Sequence, residues 1–402
     1  MSRPPLRADL TAFARLTGWG YFPVAFVGRL PFAMMIVGVL TLVVSVRGSI
    51  AEAGLAAACT GIGTAVCGPT AGALADRFSQ RAVLLACCGL SVLSVAGLLA
   101  LLAAGAPIAV VVLLAFLVGG TTPQVAPFSR ARLAGVASTP RSEGTRARAM
   151  TAVMSYESVA DEASFVLGPV LVGLLTTLVA PWAPLLFGAA LSCTVVVAFA
   201  LHPSASAALP REVSGLPSAP LVSARVVVLA FAMLLVGGIF GSVLTALSEF
   251  MRLRGAGEQT GIAYGAMSLG AILAAIVVAL LPSGFGLVPR WAACAVLGLG
   301  GAGVLAAASS VPLAVVGLFV AGAGIGAVLV VLFSLGARSA PEGRATTVLT
   351  TLQSALVVGQ ALATAACGLL VQHAGATAGY LVAAALAALL AVLALVSGKR
   401  FR

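Results

Sequence analysis

GPTAGALADRFSQRA occupies residues 68–82. Its middle holds Asp76, Arg77 and Arg81, yet both flanks are apolar, 51–75 before it and 82–104 after it. A hydrocarbon layer about 30 Å thick is crossed by a helix of about 20 apolar residues. Two runs of that length joined by a few charged residues predict a helical hairpin that crosses a membrane, turns in water and crosses back. Outward from this hairpin the same reading gives twelve runs: 20–46, 51–75, 82–104, 107–128, 149–180, 184–201, 226–250, 260–282, 290–309, 312–336, 345–372 and 377–397. The first and fifth are too long for one perpendicular crossing and are expected to tilt or project.

Composition agrees. Of 402 residues, 61% are hydrophobic and only 8% are charged, against about 25% charged in a soluble domain. That balance excludes a soluble enzyme, a disordered chain and a nucleic-acid binder. The net charge of +11 is topological rather than a nucleic-acid footprint: with both ends cytoplasmic, 18 of the 22 basic residues fall in inside segments. These include Arg3, Arg7, Arg15, Arg130, Arg132, Arg141, Arg146, Arg148, Arg211, Lys399 and Arg402, whereas Arg47, Arg252 and Arg254 fall outside and Arg29 lies within the first run. Loops rich in Arg and Lys stay on the cytoplasmic side, so the split sets the orientation. The cysteines sit inside apolar runs without metal-type spacing and read as small core residues. The amino-terminal arginines precede no small-residue cleavage site, so no signal peptide is expected.

The longest internal polar break, 202–225, divides the runs six and six. RAMTAVMSYES at 148–158 aligns with RATTVLTTLQS at 344–354, and each opens the fifth run of its half. Such a repeat points to a duplicated six-helix unit. The expected fold is an all-α membrane protein of twelve transmembrane helices in two pseudo-symmetric six-helix bundles, 1–201 and 226–402, joined by a cytoplasmic linker at 202–225.

The 68–82 break resembles the signature loop of the major facilitator superfamily, with Gly72, Leu74, Asp76, Arg77 and Arg81 in the matching places and Ser79 where glycine is usual. The resemblance implies the major facilitator fold, transport by alternating access, and a conformational latch made by Gly72, Asp76, Arg77 and Arg81. Gly72 would let its helix approach a neighbour closely. Asp76 is expected to pair with arginines or to face a helix amino terminus across the cytoplasmic seam. In the fifth run, Gly168, Pro169 and Gly173 resemble the Gly-Pro segment of proton-coupled exporters, where a kink and close packing are expected. YESVADEASFVLGP at 156–169, with GRLPFAMM at 28–35, resembles a broad group of actinobacterial drug and metabolite exporters; it implies transport and names no cargo. The implied location is the bacterial inner membrane.

The fifth run also carries Glu157, Asp161 and Glu162. Carboxyl groups at membrane depth are costly and usually functional, and all three are candidates for a proton-coupling site. The competing reading is structural, with Arg29 as their partner. Glu157 and Asp161 share a helix face, while Glu162 sits about 100° round it. Arg29 either pairs with these acids across the cavity or snorkels to the headgroups. Glu249 reads as an interface residue near Arg252 and Arg254. The fourth run, ending at 128, holds no arginine at membrane depth, where many proton antiporters of the superfamily place one. Candidate cavity-lining residues are Arg29, Thr121, Thr122, Gln124, Gln353 and Gln360, with Tyr264 and Phe22 weaker.

GLGGAG at 298–303 mimics a dinucleotide loop but lies inside an apolar run without a preceding strand, so it reads as helix packing. His202 and His373 fall at opposite membrane sides. No metal site, cofactor or nucleotide-driven step is implied, and no polar catalytic constellation of a membrane enzyme is present. The expected activity is efflux of a small organic molecule against protons, by a monomer in the lipid bilayer. Uptake by symport or facilitation is the alternative. Few charged residues are available for the cavity wall, which suits an amphipathic or weakly cationic cargo.

Overall fold

The computed structural model describes residues 18, 20–137, 143–207, 223–256, 259–281 and 286–401. Arg3, Arg7, Arg15, Arg141, Arg211, Arg402 and most of the 202–225 break lie outside the described residues, as do the side chains of Arg146, Arg148 and Lys399.

Among the described residues every regular element is a helix. The first run is two helices, α1 (Tyr21–Val27) and α2 (Leu30–Arg47), parted at Gly28 and Arg29 just ahead of Pro31. The hairpin at the signature loop is α3 (Ile50–Arg77) and α4 (Gln80–Ala103). The fourth run is α5 (Ile108–Thr121) and α6 (Val125–Ala137), interrupted at Pro123, which cannot supply a helical N–H. The fifth is α7 (Glu143–Leu178), and it stays helical through Pro169. The sixth is α8 (Ala183–Leu191), a π turn at Ser192–Val196 and α9 (Val197–Leu201). After the break come α10 (Ala224–Arg252), α11 (Thr260–Leu280), α12 (Leu287–Ala306), α13 (Val311–Ser339) and α14 (Ala345–Ser397).

A straight helix of 53 residues, the length of α14, would reach about 80 Å, far beyond a hydrocarbon layer. Gly375 turns it back at φ 76°, a left-handed value that glycine adopts without a Cβ clash. Both arms then lie against α10: a Cβ on Gly238 would sit 2.9 Å from Leu386 on the second arm and 3.9 Å from Ala363 on the first. Ten helical segments among the described residues have the length and hydropathy of a membrane span. With the two arms of α14 taken separately and α3 added, the segments number twelve.

Ser79, which departs from the usual glycine, has an extended backbone and accepts a hydrogen bond from Ala82 N at 3.0 Å. It serves as the N-cap of α4, so this turn needs no left-handed residue. Ser49 caps α3 in the same way.

Large apolar side chains cover the outside: Ile262 is 82% exposed, Leu178 77% and Val396 75%. Water would not tolerate such a surface, and lipid does. Inside, glycines set the spacing. A Cβ on Gly63 would lie 2.1 Å from Phe116 O and one on Gly119 1.9 Å from Thr60 O, where α3 crosses α5. The geometry recurs where α11 crosses α13: Gly270 against Phe319 O at 2.1 Å and Gly322 against Met267 O at 1.9 Å. Backbones packed this closely replace the hydrophobic drive that lipid cannot supply.

One end of the bundle gathers Tyr21, Asp76, His202, Thr346 and Phe401. Tyr21 stacks near His202, Asp76 binds the start of α14, and Phe401 meets Trp291 at the start of α12. The signature loop therefore lies on the same face as the described ends of the chain.

Candidate functional site

Glu157 and Asp161, one helical turn apart on α7, both face Arg29 at the α1–α2 break. Arg29 Nε donates to Asp161 Oδ1 at 2.9 Å, Nη2 donates to Glu157 Oε2, and Nη1 donates to Ala25 O at 2.7 Å. Parting α1 from α2 frees the Ala25 carbonyl for this third bond. Arg29 is 3% exposed and does not snorkel to the headgroups.

A second cation completes the group. Arg130 Nη2 donates to Asp161 Oδ2 at 2.5 Å, and its guanidinium lies 3.6 Å from the ring centroid of Phe333 on α13. Ser129 donates to Glu157 Oε1 at 2.6 Å and shares a hydrogen bond with the Tyr21 hydroxyl at 2.7 Å. Two arginines and two carboxylates thus balance within one buried network. The fourth run therefore supplies a buried arginine after all, just beyond its expected end at 128. α6 continues to Ala137, and both Arg130 and Arg132 are buried rather than solvated in a loop. A hydropathy reading stops at the first unpaired charge, and it cannot see that the partner waits on another helix. The one available signal was numerical: three acids on the fifth run against a single intramembrane arginine.

Glu162 points elsewhere. It is 8% exposed and turns toward α11, where the Ser268 hydroxyl lies within reach. Among the described residues it makes no ion pair.

Two of the signature-loop residues, Gly72 and Asp76, meet the start of α14. Asp76 accepts hydrogen bonds from Thr346 N at 3.2 Å, Thr347 N at 2.6 Å and the Thr347 hydroxyl at 2.6 Å. A carboxylate on free N–H groups at a helix start is favoured by the helix dipole. Of the two partners expected for Asp76, it is the helix amino terminus that these bonds engage. Gly72 faces the same helix, and its Cβ would lie 2.1 Å from the Thr350 hydroxyl. Arg77 lies 5.5 Å from the Phe78 ring centroid, and Arg81 is exposed. A residue the sequence did not single out joins them. Gln80 donates to the Thr346 hydroxyl at 2.9 Å and accepts from Arg132 Nε at 2.9 Å.

On α7, Gly168 lies against Ala33 of α2, where a Cβ would sit 2.8 Å from Ala33 O, whereas nothing comes within 4 Å of a Cβ on Gly173. Between α2, the α5–α6 junction, α7 and the first arm of α14 runs a narrow cleft that is open at its mouth. Arg29, Gln124 and Gln353 line it, together with Phe32, Asp161 and Phe165. Thr121 and Thr122 instead turn their hydroxyls onto Leu117 O and Val118 O of their own helix, and Gln360 packs its backbone on Gly237 and Gly241 of α10. Tyr264 lies on α11 within electrostatic range of Glu162, and Phe22 accepts a hydrogen bond on its carbonyl from Tyr156. Glu249, 22% exposed, pairs with Arg252 at the C-terminal end of α10.

Residues 21–355 match the sequence profile of the Major Facilitator Superfamily. The chain belongs to this superfamily. A comparison with curated protein sequences finds no match. Among solved structures, the human organic anion transporter MFSD10 (TETRAN) is 19% identical, with 98% of this chain and 100% of that chain covered at a TM-score of 0.70. A bacterial homologue of the iron transporter ferroportin in the outward-facing state is 16% identical, covering 94% and 98% at 0.75. The proton:xylose symporter XylE is 16% identical, covering 96% of each chain at 0.66. At these identities the likeness shows the fold. As a major facilitator protein, the chain is a multi-pass membrane transporter of small molecules and not an enzyme.

Proposed function

We propose that the protein exports a small organic molecule in exchange for protons, and that Glu162 takes up the coupling proton. The observation that carries this reading is the difference among three neighbouring acids. Glu157 and Asp161 are neutralised by Arg29 and Arg130. Glu162 is buried without a cation among the described residues and touches the C-terminal helices through Ser268. Its charge state can change without breaking an ion pair, and the change is felt where the two sets of helices meet. In this reading residues 1–201 and 226–402 are the two moving bundles, 202–225 is a cytoplasmic linker, and a single chain works in the bacterial inner membrane with both ends inside. The end that Asp76 closes is then the cytoplasmic one.

The test works without an identified cargo. Proteoliposomes holding a trapped pH dye are challenged from outside with a panel of amphipathic organic molecules. An imported substrate of an antiporter drives protons out, so the lumen turns alkaline. Acidification would replace antiport by symport, and substrate entry without any pH change would replace it by facilitation.

In the same scheme Gly72, Asp76, Arg77 and Arg81 act as the latch, and Gly168, Pro169 and Gly173 as the segment about which α7 adjusts. Asp76→Asn removes the charge at the start of α14 and keeps the shape. A carboxylate in such a place contributes about 0.3–2 kcal/mol. Turnover in proteoliposomes is expected to fall about tenfold, with substrate affinity in detergent unchanged. A loss of affinity at normal turnover would remove the latch.

A further inference from the structure

Arg132 is a buried cation without an acid. It is fully enclosed, and among the described residues no carboxylate lies within ion-pair distance of it. Neutral acceptors hold it instead. Nε donates to Gln80 Oε1 at 2.9 Å and Nη1 to Phe199 O at 2.7 Å, while the guanidinium lies 3.9 Å from the Phe199 ring centroid. Nη2 has no hydrogen-bond partner among the described residues. A charge buried in this way is costly, and the cost falls when water returns to it. The closed seam keeps water out: Gln80 continues through its Nε2 to the Thr346 hydroxyl of α14, beside the Asp76 bonds, and α6 packs on α14.

His202 follows directly after α9, and Ser204 joins it to Arg132. Arg132 Nη1 reaches the Ser204 hydroxyl at 3.5 Å, and the same hydroxyl lies 3.0 Å from His202 Nδ1. The Ser204 backbone N–H also donates to Nδ1 at 3.2 Å. A backbone N–H can only donate, so Nδ1 is an acceptor here and the ring is neutral with its proton on Nε2. Tyr21 stands edge-on to the imidazole at 5.5 Å, but its hydroxyl is committed to Ser129. Tyr21 of α1 and Arg132 of α6 are the titratable groups that face His202 among the described residues, and neither is an acid. Burial and the Arg132 guanidinium both hold the imidazole below the ordinary histidine range.

We propose that His202 is a pH-sensitive control on the cytoplasmic closure: a proton on Nδ1 breaks the Ser204 bond, sets a second positive charge beside Arg132, and releases the Gln80–Thr346 contact across the seam. The inference rests on the reading that the two bundles part at this end during transport. It is independent of Glu162 and of the direction of transport. The closed seam holds the neutral imidazole, so closure is complete above the ordinary histidine value of about 6.5. It weakens as the pH falls through that value toward the lowered one. Opening hydrates Arg132 and screens the repulsion, so the protonated ring favours the open seam.

Hydrogen exchange of the full chain in detergent reads the seam directly, because the amides of Thr346 and Thr347 are donors to Asp76. After division by the intrinsic rate at each pH, protection over 345–350 is expected to fall at least about threefold between about pH 7.5 and about pH 5.5. His202→Asn keeps an acceptor for the Ser204 N–H and does not titrate, so its protection should stay level over that range. Arg132→Gln removes the charge that the imidazolium repels and should abolish the response as well. Either variant decides where the other fails to fold. Glu162→Gln should keep the full response. Constant protection in the unaltered protein, a response that survives in His202→Asn or Arg132→Gln, or one that is lost in Glu162→Gln overturns the proposal. A protein that does not exchange cargo for protons would still show this response, and its absence would leave proton-linked transport in place.

Discussion

Arg29→Met is expected to destabilise the protein by about 3–5 kcal/mol, the usual cost of removing one partner from a buried ion pair. The substitution conserves much of the side-chain volume, so the effect isolates charge. Glu157 would be left with the Ser129 hydroxyl, and Asp161 with Arg130. The Ala25 carbonyl, freed by the α1–α2 break, would also lose its bond to the guanidinium. The measurement is the yield of monodisperse protein and its unfolding temperature in detergent. The cycle that settles the mechanism adds Glu157→Gln. If the penalty is the stranded carboxylate, the double variant recovers most of the loss, because an uncharged pair no longer carries a buried unpaired charge. A double variant as poor as the single one would show that Arg29 matters for packing rather than for charge.

Glu162→Gln is expected to have the opposite profile: little change in unfolding temperature and a large change in coupling. Gln can still hydrogen-bond Ser268, so the contact across the seam survives. What disappears is the ability to gain and lose a proton. The pH response in proteoliposomes is expected to fall at least about tenfold. Counterflow, in which labelled substrate exchanges for unlabelled without net proton movement, is expected to persist. Glu157→Gln is the control. It weakens the Arg29 network and lowers stability, so its transport defect, normalised to folded protein, should be smaller. Full proton-linked movement by Glu162→Gln would reject Glu162 as the coupling site.

The two variants differ because α7 presents two faces to different neighbours. Glu157 and Asp161 lie one turn apart and meet Arg29 at the start of α2 and the α6 residues Ser129 and Arg130, while Glu162, about 100° round the helix, meets α11. Helical periodicity alone predicts that split of faces. It does not say which face carries cations. Arg130 and Arg132 read as loop charges because the sequence shows a charge and not its partner. Asp161 lies 31 positions away from Arg130 in the chain, and Gln80 lies 52 from Arg132. Thr121 and Thr122 show the reverse case. Their polarity places them along the cavity in a sequence reading, but a hydroxyl next to a helix end can satisfy itself on the carbonyl one turn back, and both do so.

Run length and hydropathy by themselves determine that the chain is helical and lies in a membrane, because hydrocarbon offers no water to unpaired backbone groups and only long apolar helices satisfy themselves there. The spacing of glycine, aspartate and arginine at 72–81 likewise points to the superfamily, since a tight turn between two crossings is a local matter. Which acids are neutralised and which one stands without a cation among the described residues were decided by folding. Each depends on side chains from helices far apart in the chain, and pairing at such distances is set by how the helices pack.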